Sequence, residues 1–305
     1  MLRRAVESLK EGKNGEKHDE NQYLNLISDI LEHGEEVKGR NGTTKAVFGA
    51  AMTFNLEGGK LPLLTTKKVA WKTCLKELLW FIHGCTDNDV LKEQKVRIWN
   101  GNASREFLDS RGLQHLEEGD LGPVYGHQWR HFNAEYTNRH ADYNGKGVDQ
   151  LQYVIDQLKD PDQRTSRRII MSAWNPCQLN EMALPPCHVM CQFNVINNKL
   201  SCSLYQRSGD VGLGVPFNIA SYSFLTHLLA KHCDLETGEF VYYLGNAHIY
   251  DDHYEPLRGQ LEKEPLQFPT LSIVNKRDDI NDYIVSDFVV NEYKHHEVVK
   301  MEMRK

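Results

Sequence analysis

The sequence predicts an α+β protein organised as one large domain. Three observations carry this: helical and β-rich runs are interspersed, they lack βαβ regularity, and no internal repeat or low-complexity stretch divides them. At 305 residues the chain is long enough to bury a substantial core. Residues 1–20 are polar and charged and read as a loosely held arm, leaving 21–305 as the folded domain.

In chain order, the first helix begins near Gln22. Leu24, Ile27, Ile30 and Leu31 follow helical spacing and stop at Gly34, a suitable C-terminal cap. A second helix is expected over Trp71 to His83, with Leu75, Leu78, Leu79 and Ile82 on one stripe and Lys72, Lys76 and His83 on another. Glu77 belongs to neither. Its neighbours three and four residues away are Cys74, Trp80 and Phe81, so its carboxylate projects into apolar surroundings. A third helix covers Val148 to Leu158 and ends before Pro161, and a fourth covers Ala220 to His232. Strands are expected within Arg168 to Trp174, Cys187 to Val195, Leu200 to Arg207 and Phe240 to Tyr250. The stretches Gly101 to Gly122 and His131 to Gly147 read as long polar loops.

Composition narrows the function classes. The net charge of −6, from 36 basic and 42 acidic residues, gives no basic surplus of the kind nucleic-acid binding uses. Seven scattered cysteines do not resemble a stapled secreted scaffold and fit a reducing compartment, the cytoplasm or the nucleus. The longest apolar run, Leu78 to Ile82, is far short of the roughly 20 residues that cross a bilayer. The first twenty residues hold no apolar signal core, and Glu7, Glu11 and Glu16 argue against a targeting role for Arg3 and Arg4. Neither membrane insertion nor export is expected.

The most informative stretch runs from Pro185-Pro186-Cys187 to Asp210. Asn197-Asn198 suits a two-residue hairpin turn. If Ile196 faces Lys199, paired numbers sum to 395 and Cys187 lies opposite Ser208, with Arg207 one position away. One face then holds Cys187, Val189, Cys191, Phe193 and Val195 with Leu200, Cys202, Leu204, Gln206 and Ser208, apolar except at its open end. A bulge or a slip of one residue would bring Arg207 round to the thiol. A neighbouring cation lowers a thiol pKa and makes Cys187 a candidate nucleophile, although a cysteine at a strand end is more often a small buried hydrophobe.

Metal binding by Cys187, His188 and Cys191 is disfavoured. On one strand face the two thiols lie about 13 Å apart at ~3.3 Å per residue, and His188 points to the opposite side. No G-x-S-x-G elbow or glycine-rich phosphate loop is present. Arg167-Arg168 and Arg40, the latter within Lys38-Gly39-Arg40-Asn41-Gly42, are candidate phosphate contacts, against the commoner reading of solvated arginines.

These residues, taken together, resemble the thymidylate synthase family. The motifs are Lys76-Glu77-Leu78-Leu79-Trp80-Phe81, Ile98-Trp99, Gly122-Pro123-Val124-Tyr125-Gly126, Ser166-Arg167-Arg168-Ile169-Ile170, Ala183-Leu184-Pro185-Pro186-Cys187-His188, Leu204-Tyr205-Gln206-Arg207-Ser208-Gly209-Asp210, Pro216-Phe217-Asn218-Ile219-Ala220-Ser221-Tyr222 and His248-Ile249-Tyr250. They run from about Leu24 to Glu302 in the family's order.

The resemblance implies a large mixed sheet flanked by helices, with sheets packed across a homodimer. It implies methylation of dUMP to dTMP, with 5,10-methylenetetrahydrofolate consumed as carbon and hydride donor and no metal. Cys187 is then the nucleophile, Glu77 and Tyr125 handle protons, His188 tunes the water network and Asn218 reads the base. Arg40, Gln206, Arg207 and Ser208 contact the nucleotide, joined by Arg167 and Arg168 of the second subunit. His248 and Tyr250 hold the sugar hydroxyl. Asp210 serves the pterin, and Ile98, Trp99, Leu213 and Phe217 supply apolar walls. Met190, Gln192, Asn194 and Tyr205 lie on the face suited to the dimer contact. No nucleic acid is required.

Departures from the family pattern are Asn100 and Asn246, where aspartate is usual, Thr165, and Met303-Arg304-Lys305 in place of an apolar closing end. The altered tail is expected to weaken closure over the folate. Two alternatives follow: a pyrimidine nucleotide hydroxymethylase of the same family, and a catalytically silent nucleotide- or RNA-binding dimer.

Overall fold

A computed structural model describes residues 18–39 and 41–304. The arm is thereby divided: residues 1–17 lie outside the described part, but Asp19 and Glu20 belong to the fold. Glu20 is fully buried, and its carboxylate accepts from the backbone N–H and hydroxyl groups of Thr65 and Thr66 at 2.6 to 3.0 Å. Such complete pairing is what permits a buried carboxylate.

Helix α1 (Asn21–His33) buries Leu24, Ile27, Ile30 and Leu31, as its periodicity predicts, and Tyr23 as well. Gly34 ends it by donating its N–H to the Ile30 carbonyl at 2.9 Å, and a Cβ there would stand 2.4 Å from that oxygen. Strands β1 (Glu35–Gly39) and β2 (Gly42–Asn55) follow, neither of which the sequence pattern reveals. In β2, Gly49 sits at φ +87° and Phe48 is 74% exposed, so strict in–out alternation is broken.

Helix α2 (Trp71–Ile82) matches expectation, and short helices α3 (Asn88–Glu93), α4 (Arg105–Ser110) and α5 (Tyr125–His131) occupy stretches with too few turns to show a period. Helix α6 (Gln150–Lys159) and strand β3 (Ile170–Ser172) lead to the hairpin of β4 (His188–Ile196) and β5 (Lys199–Asp210). Helix α7 (Gly214–His232) begins six residues before the expected Ala220. Pro216 is tolerated because it lies in the first turn, where no intrahelical N–H is needed. Strand β6 (Glu236–Tyr250), helix α8 (Tyr254–Leu261) and the pair β7 (Thr270–Ile273) and β8 (Phe288–Asn291) complete the elements.

Among the described residues the main sheet has the order β1-β2-β6-β5-β4-β3. It is mixed, because β5 and β6 run parallel while the other neighbours are antiparallel. Helix α7 is apolar nearly all round and buried along its length, which makes it the central element of the core. The opposite sheet face carries Ile170, Met190, Gln192, Asn194, Ile196, Tyr205 and Tyr243 by register, with Ile170, Ile196, Tyr205 and Tyr243 exposed. No helix among the described residues is long and apolar enough to cross a membrane.

The hairpin turn is as expected, with Asn197 at φ 51° and Asn198 at φ 61°. Pairs from Ile196↔Lys199 to Met190↔Tyr205 keep the expected register. Between His188 and Met190 the ladder shifts by one, and His188 pairs with Gln206. Cys187 therefore faces Arg207 rather than Ser208, with the Arg207 N–H donating to the Cys187 carbonyl at 2.9 Å. His188 turns inward, correcting the sequence-based side assignment; it is buried.

Candidate active site

At the open end of the β4–β5 hairpin one guanidinium organises the thiol. Arg207 donates from Nε to the Pro186 carbonyl and from Nη2 to the Pro185 carbonyl, both at 2.8 Å, and Nη2 stands 3.6 Å from Cys187 Sγ. The bulge makes this possible, since it turns Arg207 toward the strand end that carries the thiol. Burial nevertheless pushes the Cys187 thiol above its ordinary pKa, with Arg207 pulling the other way. The expected lowering by the neighbouring cation is present, and desolvation outweighs it.

Tyr125, in the first turn of α5, accepts at its hydroxyl from the Cys187 N–H at 2.7 Å and the His188 N–H at 3.4 Å. Its ring packs against Phe81 and His188, with centroids 4.8 and 4.9 Å away. Glu77, on α2, is buried and accepts from Trp99 Nε1 at 2.7 Å. Burial raises its pKa to about 7, the indole N–H opposing. The apolar environment read from helical spacing is therefore present.

A hydrogen-bond chain fixes Asn218 on α7. Tyr242 Oη donates to Gln206 Oε1 at 2.6 Å, Gln206 Nε2 donates to Asn218 Oδ1 at 3.1 Å, and Asn218 Nδ2 lies 2.7 Å from His188 Nε2. Burial pushes His188 down to about 3, so its ring is neutral and Nε2 accepts from the amide. Gln206 also donates to the Ser208 carbonyl at 2.9 Å, which uses both of its N–H groups. An oriented Asn218 retains one N–H and one acceptor position.

The parallel β5–β6 pairing sets Ser208 beside Asn246 and Asp210 beside His248. His248 and Tyr250 meet edge to face at 5.3 Å, and His248 Nδ1 is 2.9 Å from Asn246 Oδ1. Asp210 Oδ1 accepts from the N–H groups of Gly212 and Leu213 at 2.9 and 3.3 Å, shaping the approach to α7.

Beside this array lies a cavity of about 650 Å³, walled by Leu213 just before α7, by Pro216 and Phe217 on α7, and by Val298 to Glu302. Leu213 and Phe217, expected from the sequence as apolar walls, both line this cavity. Ile98 and Trp99 do not line this cavity; Trp99 Nε1 donates to Glu77 and Ile98 packs against the core. Sequence reasoning missed Lys67, a cavity residue whose ammonium is buried against the Gly212 carbonyl at 2.5 Å and whose pKa burial lowers to about 8. The run Thr65-Thr66-Lys67-Lys68 was the available signal.

Arg167 and Arg168 are exposed ahead of the edge strand β3, where Gln192 Nε2 holds the Arg167 carbonyl at 2.9 Å. None of the contacts made to Cys187 involves them. Arg40 lies outside the described residues. All seven cysteines are free, and among the described residues no group of three His, Cys, Asp or Glu converges as a metal site.

Residues 21–305 match the thymidylate synthase family. The chain is 54% identical over 290 residues to a bifunctional dihydrofolate reductase-thymidylate synthase of Zea mays, covering 94% of this chain and 55% of that protein. Against the bifunctional protein of Plasmodium chabaudi it is 53% identical over 288 residues, 94% of this chain and 49% of the relative. It is 55% identical over 288 residues to the thymidylate synthase of Homo sapiens, covering 94% of this chain and 91% of the human protein. The chain thus spans about half the length of the bifunctional relatives and nine-tenths of the human one. On this match and the site it accompanies, the chain belongs to the thymidylate synthase family.

Proposed function

We propose that the protein converts dUMP to dTMP by reductive methylation through Cys187. The observation that carries this reading is one cluster: a thiol faced by Arg207, a buried carboxyl titrating near pH 7 at Glu77, and an Asn218 amide oriented from two sides. Methylenetetrahydrofolate supplies the one-carbon unit and the hydride and leaves as dihydrofolate. The apolar Leu213, Pro216, Phe217 and Met301 with the cationic Lys67, Lys68 and Lys300 suit such a flat ring bearing an anionic tail.

In this mechanism the Cys187 thiolate adds to uracil C6, and the displaced electron pair moves through the ring to O4, leaving C5 nucleophilic. Substrate phosphate near Arg207 and Ser208 occupies the polar end of the hairpin. Asn218 accepts from N3–H and donates to O4, so a base with the reverse pattern leaves a buried group unpaired. Glu77 exchanges the proton that O4 gains and loses, for which a pKa near 7 is suited. Tyr125, already bonded to the Cys187 and His188 amides, assists removal of the C5 proton. His248 and Tyr250 receive the sugar hydroxyl.

We further infer a homodimer. The exposed Ile170, Ile196, Tyr205 and Tyr243 share a sheet face that a second copy would cover, and exposed Arg167 and Arg168 at its edge would then reach the partner's phosphate site. The test of the activity is product stoichiometry with dUMP and methylenetetrahydrofolate. One dihydrofolate per nucleotide consumed is expected. Nucleotide consumption without dihydrofolate would make the protein a hydroxymethylase instead.

A further inference from the structure

The cavity wall formed by Val298 to Glu302 belongs to no helix or strand, so no backbone ladder holds it in place. It is tied at its near end, where the His296 N–H donates to the Thr65 carbonyl at 2.7 Å and the Tyr293 hydroxyl donates to the Leu64 carbonyl at 2.7 Å. At its far end His253 Nε2 lies 2.8 Å from the Glu302 carbonyl. Beyond that point Arg304 makes a further fastening. Its Nη2 stands 3.1 Å from Asp251 Oδ1 and 3.1 Å from Asp252 Oδ1, and the guanidinium lies 5.9 Å from the Tyr250 ring centroid. A Cβ built on Gly42 would come within 3.7 Å of Arg304 Nη1, so the same group also rests against the start of β2.

The chemistry of this arrangement is specific. Asp251 and Asp252 directly follow Tyr250, the last residue of β6, and the next residue, His253, approaches Asp210 at 3.8 Å. The turn that Arg304 grips is therefore continuous with the strand bearing the sugar-binding pair and with the carboxylate assigned to the pterin. We propose that Arg304 is a positioning residue for the folate co-substrate: by holding the Asp251-Asp252 turn and lying on Tyr250 it pins Val298 to Glu302 as the closed cavity wall. The inference rests on the proposed activity for the identity of the ligand. It replaces the expectation that a cationic tail weakens closure, since the cation here has two carboxylate partners. Both partners and Arg304 are one-third to one-half exposed, so the effect is modest, screened by salt and about two- to ten-fold in binding.

Steady-state kinetics on the whole chain test it, using wild type, Arg304→Ala, the Asp251→Asn/Asp252→Asn pair and the combination of all three, at low and high salt with dUMP saturating. The KM for methylenetetrahydrofolate should rise about two- to ten-fold in Arg304→Ala and in the aspartate pair, with no further rise in the combination. The KM for dUMP should stay nearly constant, and Arg304→Lys should recover part of the loss. The folate KM should rise more steeply with salt in wild type than in Arg304→Ala or the aspartate pair, which keep only the salt dependence of the cavity lysines. An unchanged folate KM, additive losses, or equal rises in both constants would overturn the clamp. If wild type forms no dihydrofolate, the proposed activity fails, and the clamp is then read by amide hydrogen exchange: faster exchange across 298–302 in Arg304→Ala supports it, and unchanged exchange refutes it.

Discussion

Arg207 Nη2 stands 3.6 Å from Cys187 Sγ while the same guanidinium holds the carbonyls of Pro185 and Pro186, so one side chain both shapes the turn and faces the thiol. Burial already holds this thiol above its ordinary pKa, and Arg207 is the group that lowers it. Arg207→Ala should therefore move the pH midpoint of Cys187 alkylation further upward and slow alkylation at neutral pH. A midpoint that stays put or falls would show that Arg207 serves the turn alone.

Glu77 supplies the next prediction. Its folded-state pKa is raised from 4.5 to about 7 by burial, so it binds a proton in the fold that the unfolded chain has released. The stability this confers is complete below the unfolded value and is lost as pH rises through about 7. Relative to wild type, Glu77→Gln should gain stability between acidic conditions and pH above that value, on the order of 3 kcal/mol. Turnover in the same variant should drop about 10²- to 10⁴-fold and lose its titration near neutrality. Thermal melts across pH, beside a kcat profile, check both halves.

The relay behind Asn218 can be cut from a distance. Gln206→Met leaves Tyr242 Oη and Asn218 Oδ1 without their partner, which should cost about 1–3 kcal/mol of stability. Because the amide is then free to rotate, discrimination between dUMP and dCMP should narrow. Retained selectivity would mean that His188 alone suffices to orient Asn218.

The proposed homodimer, with Arg168 delivered to the partner's site, has a direct signature. Arg168→Ala and Cys187→Ala homodimers should each be nearly inactive, and refolding the two together should restore activity, because a mixed dimer carries one site with both Cys187 and Arg168 intact. No recovery, with mixed dimers present by native mass spectrometry, would place the arginine in its own subunit's site or outside any site.

Much of the site was legible because short-range chemistry specifies it. Asn197-Asn198 fixed the register of the hairpin, and the helical neighbours of Glu77 gave its environment. What escaped detection depends on packing. The one-residue shift between His188 and Met190 decides that Cys187 meets Arg207 and that His188 meets Asn218, and nothing in the local pattern announces it beyond the adjacency of Arg207 to the expected register. Strand β2 was hidden by Gly49 and Phe48, and the first turns of α7 by Pro216. The bond from Trp99 Nε1 to Glu77 also escaped detection, a contact between residues that only the folded chain brings together.

Covalent methyl transfer through Cys187 is tested by following dihydrofolate formation from dUMP and methylenetetrahydrofolate in wild type and Cys187→Ala, with dUMP binding measured in both. Wild type should form dihydrofolate and the variant none above background, while still binding dUMP. Comparable dihydrofolate formation by Cys187→Ala would contradict it.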